Sequence, residues 1–336
     1  MTSAFQRIAV VGAGAWGTAL AIAAFRSGRD VTLWAREPEV LSAIRESGEN
    51  THFLPGVSLD PSIKATDDLA DAASADAVLL VAPAQYLRAV AGDLAPYLAA
   101  GTPLVICAKG IEIGTRALMN EVLAKVLPDH PQAVLSGPTF AREVADGRPT
   151  AVTLAAAEPA LAQSLCAALA SRSFRPYAGG DPVGALIGGA VKNVIAIACG
   201  IVGGCDLGQN ARAALITRGL SEMARLGEAK GAQVTTFSGL SGLGDLTLTC
   251  TSMASRNYAL GHAIGSGHEK ASVLEICPSV TEGAYTAEAV TGLAAELGVE
   301  MPICRAVDAV LNREGDIDAT IGDLLDRPLR TEMAGV

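Results

Sequence analysis

The chain has 336 residues, half of them hydrophobic but only 4% aromatic, with a net charge of −10. That length leaves room for two domains and a sizeable core, and an Ala- and Gly-rich, aromatic-poor composition fits an α/β or helical enzyme better than an all-β protein. The acidic balance, without any basic run or aromatic-basic interleaving, argues against nucleic acid as a partner and means that cations needed to hold anions must be placed locally.

Arg7–Val11 (RIAVV) reads as a short apolar strand. It runs into Gly12-Ala13-Gly14-Ala15-Trp16-Gly17, then a helix over Thr18–Arg26 that Gly28 ends, then a second strand over Val31–Trp34. A G-x-G-x-x-G that follows a strand and opens a helix within a βαβ unit is a dinucleotide-binding fingerprint. Gly12 allows the tight turn out of the strand, Gly14 lets backbone approach a pyrophosphate, and Gly17 lets the helix pack on the sheet. The helix N-terminus supplies amides to the diphosphate. Past the second strand stands Arg36, where an arginine suits a 2′-phosphate. This favours NADP(H), while Glu37 keeps NAD(H) open and a solvated surface arginine is the plain alternative.

Further strands are predicted at Ala77–Val81, Leu104–Cys107, Ala133–Leu135, Ala151–Leu154 and Phe174–Tyr177, with Ala-rich helical stretches between several of them. Alternating strand and helix implies a mostly parallel sheet covered on both sides. After the Gly/Pro-rich break at Ala178–Gly184 the pattern is helical, over 184–203, 210–227, 253–265, 283–297, 302–312 and 317–325. The expected organisation is a Rossmann-type, doubly wound domain over 1–180, an all-α domain over 181–330, and a tail, 331–336, without clear pattern.

The first of those helices carries the most informative residue. Its apolar run, GALIGGAVKNVIAIACGIVGGC (184–205), is about as long as a membrane span and holds Lys192 and Asn193 in its middle. The face of Lys192 bears only small residues (Ala185, Gly188, Gly189, Ala196, Cys199, Gly203), so something can come close to the ammonium. The opposite face bears Leu186, Ile187, Val191, Val194, Ile197 and Ile201, which suit a core. Burying a cation is costly and lowers its pKa, which makes such a lysine a candidate proton donor or acceptor. Two plainer readings compete. An unpaired lysine at the centre of a membrane helix is unfavourable by roughly 3 kcal/mol, and neither a second span nor a basic flank accompanies it. A structural lysine paired with a carboxylate remains open.

Ligands sit at strand ends in an open α/β sheet. After Leu104–Cys107 comes Lys109, and after Ala133–Leu135 comes Ser136-Gly137-Pro138-Thr139-Phe140-Ala141, a turn rich in backbone and hydroxyl donors. In the helical half, residues 239–246 (GLSGLGDL) read as a glycine-dense loop ending near Asp245, followed by Thr249 and the cluster Ser255-Arg256-Asn257. Each has a bland reading: a connecting turn, a helix cap, a surface arginine. Together with Lys192 they fit an oxyanion pocket built from an arginine, amides and short polar side chains, with Asp245 as the lysine's partner. Seven scattered cysteines without a CxxC pair and no visible export signal point to reduced thiols in a cytoplasm. The four histidines show no ligand spacing, so no metal site is expected.

With these residues in view, the chain resembles the bacterial NAD(P)-dependent sn-glycerol-3-phosphate dehydrogenase family over nearly its whole length. The blocks that carry the resemblance are VVGAGAWGTAL (10–20), AKG (108–110), SGPTFAREV (136–144), GGAVKNVIAIACG (188–200), NARAALITRGLSEM (210–223), GLGDLTLTC (242–250), SRN (255–257) and TEG (281–283). The resemblance implies a cytoplasmic homodimer without membrane insertion that interconverts dihydroxyacetone phosphate and sn-glycerol 3-phosphate for phospholipid synthesis. It also implies a helical domain like the C-terminal half of 6-phosphogluconate dehydrogenase. Lys192 matches the family's catalytic proton acceptor, and Lys109 and Asp245 are taken as further catalytic residues beside it. Lys109, Gly137, Thr139, Asp245, Ser255, Arg256 and Asn257 match substrate-contact positions, to which Asn193 is added as the neighbour of Lys192. Ala15, Trp16, Arg36, Lys109, Ala141, Arg256, Val280 and Glu282 match cofactor-contact positions; family members often have serine where Ala15 stands. Two rivals are kept: a β-hydroxyacid dehydrogenase of the same layout, which also carries a Lys–Asn helix, and a non-catalytic NADP(H) sensor.

Overall fold

The computed structural model describes residues 5–270 and 281–329. Val280, Cys277 and the tail expected at 331–336 lie outside them, as does the side chain of Glu282. The chain divides into two compact units, one comprising the residues up to Lys109 together with Met119–Pro182, the other Gly110–Leu118 together with the residues from Val183 on.

The first unit is built on β1 (Arg7–Val11), α1 (Ala15–Arg26), β2 (Asp30–Trp34), α2 (Pro38–Ser47), β3 (Lys64–Thr66), α3 (Leu69–Ala73), β4 (Ala77–Leu80), α4 (Leu87–Leu94), β5 (Leu104–Ile106), α5 (Met119–Val126), β6 (Gln132–Ser136), α6 (Ala141–Ala145), β7 (Thr150–Ala156), α7 (Pro159–Leu169) and β8 (Phe174–Gly179). The eight strands form one sheet in the order β3-β2-β1-β4-β5-β6-β7-β8. All neighbours run parallel except β6 and β7, which pair antiparallel. The strands β4 and β5, and β1 from Ile8 on, are buried at every position, as parallel strands covered on both faces must be. The strand order reverses between β1 and β4, the switch point at which such sheets open a crevice for ligands. The strand β3 was not among those expected; its three residues, Lys-Ala-Thr, carry no apolar run to reveal it.

The second unit contains α8 (Pro182–Gly204), α9 (Gly208–Ala229), a π-turn (Leu240–Gly244), α10 (Asp245–Cys250), α11 (Arg256–Gly265), α12 (Thr281–Glu296), α13 (Pro302–Asn312) and α14 (Ile317–Leu325). Every residue of α8 from Gly184 to Val202 is buried inside the protein, which accounts for its membrane-like apolarity. Protein backbone comes close to α8 at Gly200 and Gly204, beside the small-residue face. A Cβ on Gly200 would lie 2.1 Å from the Tyr258 carbonyl oxygen, and one on Gly204 2.3 Å from that of His262. Reciprocally, a Cβ on Gly261 would lie 2.1 Å from the Ile197 carbonyl and one on Gly265 2.4 Å from that of Ile201. Glycines spaced four apart on both helices thus let α8 and α11 cross in backbone contact. On the same helix, Gly188 makes room for the carbonyl of Ser241 in the π-turn, where a Cβ would lie 2.2 Å away.

The short segment Gly110–Leu118 falls within 1–180 in sequence yet packs as part of the second unit. Ile111 and Leu118 form an antiparallel bridge and are both fully buried. Arg116, held at φ 55°, pairs with Glu296 of α12. Gly292, one turn earlier on α12, leaves space for its guanidinium: a Cβ there would lie 2.5 Å from Arg116 Nε.

Candidate active site

In the first unit the Gly-rich turn leaves β1 at Gly12, whose φ of 116° is open to glycine and closed to other residues. The Gly12 amide donates to the Trp34 carbonyl at the end of β2, at 3.1 Å. A Cβ on Gly17 would sit 1.8 Å from the Gly12 carbonyl oxygen, so only glycine lets α1 start this close to the turn. At Gly14, by contrast, a Cβ would meet nothing within 4 Å. No side chain caps α1, so its first amides face that open space. Trp16 adds a buried indole Nε1 without a hydrogen-bond partner. An uncapped helix start, an open cradle at Gly14 and an orphaned donor together fit a dinucleotide diphosphate. Ala15 and Trp16 are half-buried beside this space, and Ala141 opens α6, which packs on α1. Arg36, just past β2, is exposed and has no hydrogen-bond partner among the described residues.

Two strands away, Lys109 follows β5 and its Nζ donates to the Gly137 carbonyl at 3.2 Å. Thr139 Oγ1 donates to the same carbonyl at 3.1 Å. Gly137 takes φ 147°, and a Cβ there would press on the backbone of Val152 at 3.0 Å, so the turn after β6 requires glycine. The neighbouring strand ends therefore bring Lys109, Gly137 and Thr139 into one cluster, next to the buried, unpartnered Ser136 hydroxyl.

In the second unit Lys192 is 6% exposed and Asp245 fully buried. Lys192 Nζ lies 2.6 Å from Asp245 Oδ1 and donates to Thr249 Oγ1 at 3.0 Å. Thr249 Oγ1 donates in turn to the Asp245 backbone carbonyl at 2.6 Å, which locks the hydroxyl so that a lone pair faces the lysine. The stretch read as a glycine-dense loop is in fact the π-turn running straight into α10, and Asp245 is the first residue of that helix rather than its cap. Gly242 permits the turn, because a Cβ there would lie 2.2 Å from the Phe237 carbonyl oxygen. Sequence placed Thr249 only among the short polar side chains of the pocket; its position four residues after Asp245 was the available signal for its bond to Lys192.

The helix expected over 253–265 begins at Arg256. Ser255 is its N-cap, with Oγ accepting from the Tyr258 amide at 3.3 Å, so the hydroxyl holds the helix start. Arg256 is exposed, with no hydrogen-bond partner among the described residues, beside an Asn257 whose buried Oδ1 lacks a partner. Asn193, next to Lys192, is buried and donates to the Gly189 carbonyl at 3.5 Å. The six cysteines described are all free thiols. Burial, with a contact to Cys199, pushes the Cys250 thiol beside Thr249 well above its ordinary value, which leaves it inert as a nucleophile.

The family models and the curated relatives agree with one another. Residues 7–162 match the family model for the N-terminus of NAD-dependent glycerol-3-phosphate dehydrogenase, and residues 181–322 that for its C-terminus. The chain is 60% identical over 333 residues to a glycerol-3-phosphate dehydrogenase (NAD(P)+) of Rhodospirillum rubrum, covering 99% of this chain and 95% of the relative. It is 53% identical to that of Parvibaculum lavamentivorans, covering 99% and 100%. A crystal structure of glycerol-3-phosphate dehydrogenase from Coxiella burnetii superposes with a TM-score of 0.92 at 38% identity, covering 96% of this chain and all of the other.

Proposed function

Because the chain belongs to the NAD-dependent glycerol-3-phosphate dehydrogenase family, we propose that it interconverts dihydroxyacetone phosphate and sn-glycerol 3-phosphate, supplying the latter to phospholipid synthesis. The observation that carries this reading is the buried Lys192–Asp245–Thr249 cluster: a proton-bearing group held in fixed orientation and shielded from solvent. When bound, NAD(P)H supplies the hydride for the carbonyl carbon. Lys192 as ammonium polarises the carbonyl and gives its proton to the oxygen; as amine it accepts one in the reverse direction. Asp245 and Thr249 hold the nitrogen in place. Arg256, Asn257 and the first amides of α11 suit the substrate phosphate, which anchors a small triose and aligns its carbonyl. Lys109, Gly137 and Thr139 are assigned to the same substrate, as are Asn193 and Ser255, the latter through the helix start it caps.

On the cofactor side, Gly12, Gly14, Ala15, Trp16 and Gly17 hold the diphosphate half, with Ala141, Lys109 and Arg256 as further contacts. The exposed, unpartnered guanidinium of Arg36 supports NADP(H) over NAD(H). Val280 and Glu282 keep the cofactor role that family resemblance gives them. No metal enters the chemistry of this reading. A homodimer is supported by an apolar groove of about 1140 Å³ in the second unit, lined by Ile201, Val202, Leu215, Val307, Ile321 and Leu324. The helix α14 that walls it has no buried residue of its own. Introducing glutamate at Leu215 and Leu324 together is expected to halve the mass seen by light scattering; an unchanged mass would remove the groove from the interface. Free thiols and a buried α8 agree with a cytoplasmic enzyme.

The test is turnover. NADPH oxidation is expected with dihydroxyacetone phosphate and not with β-keto acids, and folded Lys192→Ala should lose about a hundredfold or more. Activity with the acids alone would transfer the chain to β-hydroxyacid chemistry. Undiminished function in Lys192→Ala would leave a nucleotide sensor.

A further inference from the structure

Asn50 is a fully buried polar residue on the connection between α2 and β3, far in sequence from the Gly-rich turn. Its Nδ2 donates to the Ala13 carbonyl at 2.7 Å and to Thr18 Oγ1 at 2.8 Å. Its Oδ1 accepts from the Phe53 amide at 3.1 Å, and its carbonyl from the Leu54 amide at 2.9 Å, so the residue is itself held rigidly by its own loop. Arg142 of α6 fastens that loop from outside, donating to the Pro55 carbonyl at 2.7 Å.

The Ala13 carbonyl and the Gly14 N–H belong to one trans peptide unit and so point in opposite directions. Tying the carbonyl to a buried amide therefore turns the Gly14 N–H away from Asn50, at a residue where an added Cβ would meet nothing within 4 Å. A free peptide could turn over and present its carbonyl lone pairs to an anion instead. We propose that Asn50 is a positioning residue of the dinucleotide site, fixing the 13–14 peptide so that its N–H faces the diphosphate. The inference rests on the placement of the dinucleotide at Gly12–Gly17 given above.

The dissociation constant for NADPH, measured by calorimetry on the full-length protein, tests it. In Asn50→Ala it is expected to rise about tenfold or more, the cost of leaving the buried Ala13 carbonyl with only the long contact from Thr18 Oγ1, at 3.5 Å, and the peptide freer to turn. In Asn50→Asp, which cannot donate and adds a negative charge, it should rise at least as far. The KM for dihydroxyacetone phosphate at saturating NADPH should stay near wild type, a split that general loosening of the fold would not give. Should neither variant fold, hydrogen exchange at the Gly14 amide of the wild-type protein decides: fast in the free protein and strongly protected with NADPH is expected, and protection unchanged by NADPH overturns the inference. Gly14→Val separates the two levels of the argument, since its side chain projects into space that only ligand would fill. NADPH bound normally by Gly14→Val would sink the placement itself. Binding lost in Gly14→Val but normal in folded Asn50→Ala would sink the role of Asn50 alone.

Discussion

Replacing Asp245 by leucine should expose how much the helical unit depends on one ion pair. The lysine side chain is 7% exposed and the aspartate not at all, so the variant leaves in the core an ammonium that has lost its carboxylate and still meets the Thr249 hydroxyl. Breaking a buried pair by removing one partner costs about 3–5 kcal/mol. For a unit of this size that corresponds to a melting temperature lower by roughly 6–20 °C. Lys192→Met should cost a similar amount, because it strands a carboxylate instead. The double variant, Lys192→Met with Asp245→Leu, should recover most of the loss, since an apolar pair of like volume needs no compensating charge. Scanning calorimetry on the three proteins reads the stability, and NADPH oxidation reads the chemistry. Turnover should be absent in all three, whatever their melting points. A Lys192→Met protein that melts with the wild type would refute the burial argument, and an active double variant would refute the assignment of the amine.

Three further outcomes are expected. Arg36→Asp should raise the KM for NADPH relative to that for NADH by roughly tenfold to a hundredfold, the worth of a lost charge-assisted contact; equal changes in both would count against the 2′-phosphate role. Glu222, buried in α9, accepts from the Ile303 and Cys304 amides at the start of α13; burial pushes its carboxyl up and these amides oppose the shift without cancelling it. A carboxyl raised on folding is protonated more readily in the native state, so its contribution is fully present below the ordinary value of 4.5 and is lost as pH rises through the folded value. The difference in melting temperature between wild type and Glu222→Gln should therefore fall over that interval, and a difference that rises with pH would contradict the sign. Gly261→Leu should separate α8 from α11 and cost about 1–3 kcal/mol or more, whereas Gly14→Ala should leave thermal unfolding unchanged.

The strands that shape the first unit were legible because parallel strands buried on both faces are simply apolar, as in Ala77–Leu80 and Leu104–Ile106. The glycine fingerprint was legible for the same kind of reason: each glycine answers a local steric demand. Lys64–Thr66 was not, because a short edge strand has too few residues to show a period. The turn before Asp245 was misread as a loop because Gly242 serves the close passage of the Phe237 backbone, a tertiary fact without a signature in spacing. Lys192 and Asp245 could be named as partners by chemistry; that Thr249 completes the set and that Ser255 caps a helix emerged from geometry. Asn50 left no trace in sequence, since a lone asparagine in a polar loop looks like any turn residue.

The excursion of Gly110–Leu118 has a practical consequence for anyone dissecting this protein. A fragment begun at Val183 would lack nine residues of its own unit, among them two fully buried apolar side chains and the arginine clamped on α12. Such a truncation should unfold at a lower temperature than the same helices in the intact polypeptide, and a circular permutant joining those nine residues to the later helices would be the smallest piece worth expressing.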